Sequence, residues 1–207
     1  MTNGEIIERV KRIYYEKNMS PSDKLLSNRH IFNKLVSARN RVIAQEASRN
    51  NYLDVSCYQS INLQLIDDYE GFDESAFKIP IKKSLVMVPE ILSSSNDPLI
   101  KVVGDVSGRI SFYKTTWHQK KNLIGNKYTK NKIYYYIFNN YLYILNTDKL
   151  TNVVITAIFA DPLLEDSELS IFERRFAADA RMIDSIVALT IDELFNKKTN
   201  SNNEGEK

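Results

Sequence analysis

"NKIYYYIFNNYLYILNT", residues 131–147, places five tyrosines and one phenylalanine in seventeen positions. An Asn-Asn pair at 139–140 divides it into two runs of β-branched and aromatic residues. Asparagine tolerates the left-handed backbone that a two-residue hairpin turn demands, so the stretch reads as two antiparallel strands around a type I′ turn. Alternation then sets Tyr136 and Phe138 on one side with Tyr141 or Tyr143 nearby, and Ile137, Leu142 and Ile144 on the other. Both faces are apolar or aromatic, so both need a cover. One packs on further strands. The second carries tyrosines, whose large ring and polar tip suit a contact with another protein as well as a core. Tyr134, Tyr136, Tyr141 and Tyr143 are the interface candidates.

The neighbouring sequence supplies the other strands. Ile61, Leu63 and Leu65 alternate with Asn62 and Gln64, as in a half-buried strand. "LVMVP" (85–89) reads as a second strand closed by Pro89. "LIKVV", "GDVSG" and "RISFYKT" (99–115) read as a hairpin in which Gly104 and Gly108 relieve tight backbone. A last strand covers 152–159. Between them lie an acidic loop (67–75), a "SSSNDP" connector (93–98) and a basic loop (119–132).

Helical spacing brackets this region. Thr2 and Glu5 form a capping box ahead of Ile6, Val10, Ile13 and Tyr14, a helix that ends near Asn18. "SPSD" (20–23), with Ser20 as cap and Pro21 at the first helical position, opens a short turn. Ser27 or Asn28 caps a stronger helix, with Ile31, Phe32, Leu35, Val36, Ala38, Val42 and Ile43 on one stripe and Lys34, Arg41, Gln45 and Arg49 opposite. A long helix is expected from Asp166 or Ser167 through Phe172, Phe176, Ala180, Ile183, Val187, Ile191 and Leu194. The tail 196–207 has no apolar anchor and is expected to be disordered in the free protein. Helices and strands are segregated, so the class is α+β. The N-terminal helices (1–50) and the C-terminal helix (165–195) form a helical core, with an antiparallel β-rich domain (55–160) between them.

Composition narrows the function. The 207 residues are 43% hydrophobic, with 28 Lys and Arg against 26 Asp and Glu. That balance lacks the basic excess of a dedicated nucleic-acid binder. A lone cysteine, Cys57, excludes an intrachain disulfide and fits a reducing cytoplasm. The charged N-terminus does not read as a signal peptide, and no apolar run is long enough for a membrane span, so a soluble, non-exported protein is expected.

Reactive residues form no recognisable constellation. His30 and His118 have no ligand-spaced partners. Cys57 has no thiolate-stabilising neighbour in sequence. Asp67, Asp68, Glu70, Asp73 and Glu74 match no calcium loop, and no glycine-rich phosphate loop is present. No cofactor, metal or catalytic residue is assigned, and no enzyme activity is expected. Two alternatives stay in view. One is a nucleic-acid module in which Lys120, Lys121, Lys127, Lys130 and Lys132 surround Tyr128, with Lys127, Lys130 and Lys132 facing DNA; the bland reading is a solvated turn whose lysines guard a sticky hairpin. The other is a small cytoplasmic enzyme built on Cys57 or the acidic loop.

"LSNRHIFNKLVSARNRVIAQEAS" (26–48) and "GNKYTKNKIYYYIFNNYLYILNTDKLTNVVITAIFADP" (125–162) resemble a family of virion proteins of crAss-like phages. The order of parts is also similar to that of the head-to-tail adaptor, or tail tubular protein A, of short-tailed phages. The likeness spans the chain except its last residues. It implies a structural virion protein that forms a homo-oligomeric, twelvefold ring in the neck. Its partners would be the portal, other neck rings and tail proteins, and double-stranded DNA would pass transiently through. It implies no catalytic residues.

Overall fold

The computed structural model describes residues 1–17, 26–49, 52–68, 80–95, 97–119, 123, 128–129, 131–162 and 170–203, the last helix without side chains beyond 195. The protein is a mixed α+β chain. It divides into two compact units, one of Met1–Tyr58, Leu92–Asp97 and Ala160–Lys207, the other of Gln59–Ile91 and Pro98–Phe159.

The first unit contains α1 (Asn3–Lys17), α2 (Asn28–Arg49) and α3 (Ile183–Asn203). The capping box forms as its spacing predicts: the Thr2 N–H donates to Glu5 Oε2 at 2.8 Å and the Glu5 N–H to Thr2 Oγ1 at 3.2 Å. Ser27, rather than Asn28, caps α2, its Oγ accepting from the His30 N–H at 3.2 Å. The "SPSD" turn falls outside the described residues. Ile6, Ile7 and Val10 of α1, Ile31, Leu35, Ala38 and Ile43 of α2, and Ile186, Val187, Ile191 and Leu194 of α3 are buried. Each large aliphatic side chain among them contributes about 1.5–3 kcal/mol through removal from water. Tyr14 stacks on Phe195 with ring centroids 5.1 Å apart. Lys34 and Arg41, on the face read as opposite the apolar stripe, both reach Glu193 of α3 at 3.2 Å and tie the two helices together.

Arg39 is 0% exposed, inside the stripe that periodicity marks as apolar. Its Nε donates to the Ala177 carbonyl at 2.6 Å and its Nη1 to Asn40 Oδ1 at 2.8 Å; the Asn40 amide donates in turn to the Ala160 carbonyl at 2.9 Å. Burial lowers its pKa from 12.5 to about 10, against the opposing pull of Cys57 and Asp161, so it is charged at neutral pH.

The last helix starts later than the sequence suggests. Ile171–Glu173 make turns and Ala180–Met182 a 3₁₀ turn before α3 opens at Ile183. The carbonyls of Phe172 and Arg174 accept from Gly4 and Asn3 at 2.8 and 2.9 Å, so this segment satisfies the free N–H groups of α1 instead of coiling. Asp179, in extended backbone (φ −65°, ψ 137°), accepts from the Arg181 N–H and stops helical backbone from propagating back toward Phe176. Phe172 is 41% exposed rather than part of a helical stripe. At the other end α3 continues to Asn203, into the stretch expected to lack structure; 204–207 lie outside the described residues.

The second unit is a seven-stranded sheet with β1 (Gln59–Asp67), β2 (Ile81–Ser84), β5 (Ile100–Asp105), β6 (Tyr113–Lys114), β7 (Tyr134–Phe138), β8 (Tyr141–Leu145) and β9 (Asn152–Ala157) in the order β5-β9-β1-β2-β8-β7-β6. A separate two-residue pair, β3 (Ser93–Ser94) and β4 (Asp97–Pro98), lies outside it. Neighbours are antiparallel except β6 and β7, which run parallel. β1 serves two partners: Gln59–Gln64 pair with β9, and Leu65–Asp67 with β2.

The two ends of this order meet. β6 pairs with β7 through Tyr113 and Lys114, while the residues just before it bond to β5: the Phe112 N–H donates to the Val103 carbonyl at 2.8 Å and the Asp105 N–H to the Ile110 carbonyl at 3.1 Å. Residues 110–115 thus stitch the first strand of the order to the last, and the sheet closes into a small barrel. Gly104 makes the seam possible, because a Cβ there would press into the Ile110 carbonyl oxygen. Gly104→Ala is expected to destabilise the β-unit by about 2 kcal/mol, read as a shift in its chemical-denaturation midpoint. Gly108 takes φ +70° in the preceding turn, where the Asp105 carboxylate accepts from the Ile110 N–H.

Registers define the barrel's inside. Leu63 pairs with Val153, Ile61 with Ile155, and Tyr135 with Ile144. Of these, Leu63, Val153, Ile155, Tyr135 and Ile144 are buried, and with Leu65, Val103, Leu142 and Ala157 they form the core. Asn139 and Asn140 take φ 49° and 62°, the left-handed pair the hairpin turn requires. "LVMVP" is not a strand. β2 ends at Ser84, whose hydroxyl donates to the Val86 carbonyl at 2.7 Å and accepts from the Leu142 N–H at 3.1 Å. A side chain thereby replaces the ladder, and Leu85, Val86 and Met87 turn outward, 50, 56 and 58% exposed.

Candidate functional site

The outside of the β7–β8 ribbon is where the tyrosines gather. Tyr136 lies opposite Tyr143 and Phe138 opposite Tyr141, so all four share one face, with Tyr134 opposite Leu145. Tyr136 and Tyr143 stack at 4.9 Å with planes 5° apart. Trp117, in a 3₁₀ turn that follows β6, stacks on Phe138 at 4.6 Å and meets Tyr136 edge-on at 5.7 Å. Tyr113 of β6 sits 5.8 Å from Tyr134. Offset and edge-on pairs of this kind add about 0.5–1.5 kcal/mol each beyond their buried area.

Two ammonium groups border the rings. Lys83 Nζ lies 4.2 Å from the Tyr141 centroid and 5.8 Å from that of Tyr143; Lys132 Nζ lies 5.0 Å from the Tyr113 centroid. Cross-strand pairing also lines Ile66, Lys83, Tyr143 and Tyr136 in one row across β1, β2, β8 and β7. Ile66 is 42% exposed at the end of that row.

The four candidate tyrosines therefore stand on one face but differ in reach. Tyr136 is 2% exposed, covered by Trp117 and Tyr143, and burial pushes its phenol pKa well up, so it stays neutral. Tyr134, Tyr141 and Tyr143 are half-buried and remain partly exposed. Among the lysines, Lys132 joins the face through Tyr113, while Lys127 and Lys130 lie outside the described residues. Sequence reading did not find Trp117, Lys83 or the outward loop at Leu85–Met87. The loop did carry a signal: "LVMV" has no polar alternation, which a strand exposed on one side would show.

Other reactive side chains are placed differently. Cys57 is 0% exposed and its pKa is raised by burial, which holds it as the thiol. Asp67 is engaged by Lys82 at 2.9 Å. His30 is in the first turn of α2, and His118 lies beside Trp117 in the 3₁₀ turn. Among the described residues no three His, Cys, Asp or Glu side chains cluster as a metal site, and no helix is long and apolar enough to cross a membrane. Aromatic rings, an exposed aliphatic loop and bordering cations are side chains that protein interfaces favour.

The family model for phage tail ring protein 2, of the crAss ring group, matches residues 5–207. The chain belongs to that family. It is a structural ring protein of a crAss-like bacteriophage virion, and it acts as a member of an oligomeric assembly with other virion components. The match runs through both units, so the aromatic face belongs to the ring protein proper and not to an appended module. Membership in a structural ring family points away from catalysis. No curated protein matches the sequence.

Proposed function

We propose that this ring protein is a head-to-tail connector: copies join into a closed, twelvefold ring beneath the portal or against a neighbouring neck ring, and the ring continues the DNA channel toward the tail. The observation that carries the reading is the aromatic outer face, where Tyr134, Tyr141, Tyr143 and Phe138 remain partly exposed beside a buried Tyr136 and its Trp117 support. Residues 110–115 occupy the outer edges of β5 and β7 at the barrel's seam, so contacts made there between copies rest on side chains rather than on added strands. A ring of identical copies needs two different surfaces, one meeting the other on the next copy. The formal charge of +2 suits a lumen through which phosphates pass without being held.

The test is the particle itself. Mass spectrometry of purified virions is expected to find this chain, and images of the neck to show it as a ring of twelve touching copies. Virions without the chain, or copies standing apart from one another, would overturn the connector reading.

A further inference from the structure

The outward loop Leu85–Met87 is apolar, exposed and yet held firmly. The Leu85 N–H donates to the Gln64 carbonyl at 2.8 Å, the Ser84 hydroxyl to the Val86 carbonyl at 2.7 Å, and the Val88 N–H to the Asn140 carbonyl at 2.7 Å. Both ends are therefore fixed to the barrel, and three aliphatic side chains project from a rigid base. A rigid projection loses little conformational freedom on docking, which favours a specific contact.

The helical unit carries an open hollow of about 220 Å³ between α1 and α3. Ile13 and the exposed Ala188 line it above the buried Val187 and Ile191, and the Arg9–Asp184 ion pair, 2.7 Å long, borders it. A cavity of about 150 Å³ accommodates a benzene-sized apolar group, so this one has room for more than one aliphatic side chain. Lys17 on α1 and Asp192 on α3 also line it. The loop is flanked by Lys83 on one side and by exposed Glu90 on the other. Both surfaces combine aliphatic side chains with charges of each sign, so each charge beside the loop has an opposite charge among the residues lining the hollow.

We propose that in the assembled ring the Leu85–Met87 loop of one copy seats in the α1–α3 hollow of the next, with Lys83 toward Asp192 and Glu90 toward Lys17. The proposal rests on the ring reading above and names the two unlike surfaces that such a ring requires. It makes the β-unit of one copy and the helical unit of its neighbour the two halves of each contact.

Cysteine pairing tests it in virions. The chain carrying both Met87→Cys and Ala188→Cys, incorporated into particles and oxidised, is expected to give a covalent ladder on non-reducing gels, because a disulfide forms only when Cα atoms come within about 7 Å. Native Cys57 is buried and the singly substituted chains, which should give no ladder, control for it. Incorporated chain that stays monomeric overturns the pairing and leaves the ring standing, as does a cross-link from either introduced thiol to a different virion protein. Wild-type virions that lack the chain overturn the ring reading and this one together. In a second test, Met87→Asp at this exposed position should leave the denaturation midpoint of the free chain unchanged and lower incorporation by about tenfold or more, the effect of placing a charge in an apolar contact. Undiminished incorporation overturns the proposal.

Discussion

Replacing Tyr136 with alanine is expected to destabilise the β-unit by about 3–5 kcal/mol, the range for deleting a large buried aromatic side chain. Tyr136 is 2% exposed and is held between Tyr143 at 4.9 Å and Trp117 at 5.7 Å, so its removal exposes both neighbours at once. The chain's one tryptophan is Trp117, and its fluorescence reports unfolding of this unit in urea. Tyr141→Ala should behave in the opposite way. That ring is half-exposed under Lys83, and its loss should cost less than about 1 kcal/mol. Its effect should instead appear as reduced incorporation into particles. Equal loss of stability in the two variants would mean that the face serves the fold alone. Tyr136→Phe, which keeps both ring contacts, should stay close to wild type.

Arg39→Ala is the second large expected effect, about 3–5 kcal/mol in the helical unit. The substitution opens a cavity beside α2 and leaves the Ala177 carbonyl and the Asn40 side chain without the donors they now have at 2.6 and 2.8 Å. Arg39→Lys should recover little. A guanidinium reaches both acceptors from fixed positions, whereas an ammonium on a flexible stem is more strongly hydrated and costs more to bury. Thermal unfolding followed by helical circular dichroism would check both. An unchanged midpoint for Arg39→Ala would show that the buried charge contributes nothing to this unit.

Arg39 also shows where periodicity stops being informative. Helical spacing located Ile31, Leu35, Ala38 and Ile43 correctly, because burial of aliphatic side chains is a property of position along the helix. An arginine among them reads as a boundary residue until the carbonyl it serves, on a segment 138 residues away, is known. The last helix illustrates the same limit. Phe172 and Phe176 fit a helical stripe, but their segment is recruited to bond the first turn of α1, a long-range demand that local spacing does not contain. The capping box at Thr2 and the Asn139-Asn140 turn were legible because each is complete within a few residues.

The candidate surface was legible in part for the same reason. Alternation around the turn placed Tyr136 and Phe138 on one side with Tyr141 or Tyr143 nearby, and the register puts all four there. It could not tell which of them would be covered, since Trp117 comes from a different segment. The outward loop was read as a strand because β-branched and aliphatic residues favour strands in general. The departure is caused by Ser84, whose hydroxyl supplies the hydrogen bond that the next backbone group would have made.

The seam at residues 110–115 has a mechanical consequence. An open sheet under tension unzips from a free end, one strand at a time, each step breaking a few bonds. In this barrel Phe112 bonds Val103 on one side while Tyr113 and Thr115 bond Ile133 and Tyr135 on the other, so pulling on any strand loads those flanking it. Rupture must then break several rows together, which raises the force needed and lengthens the lifetime under load. A subunit of a virion ring thereby gains an element that yields late rather than by gradual peeling.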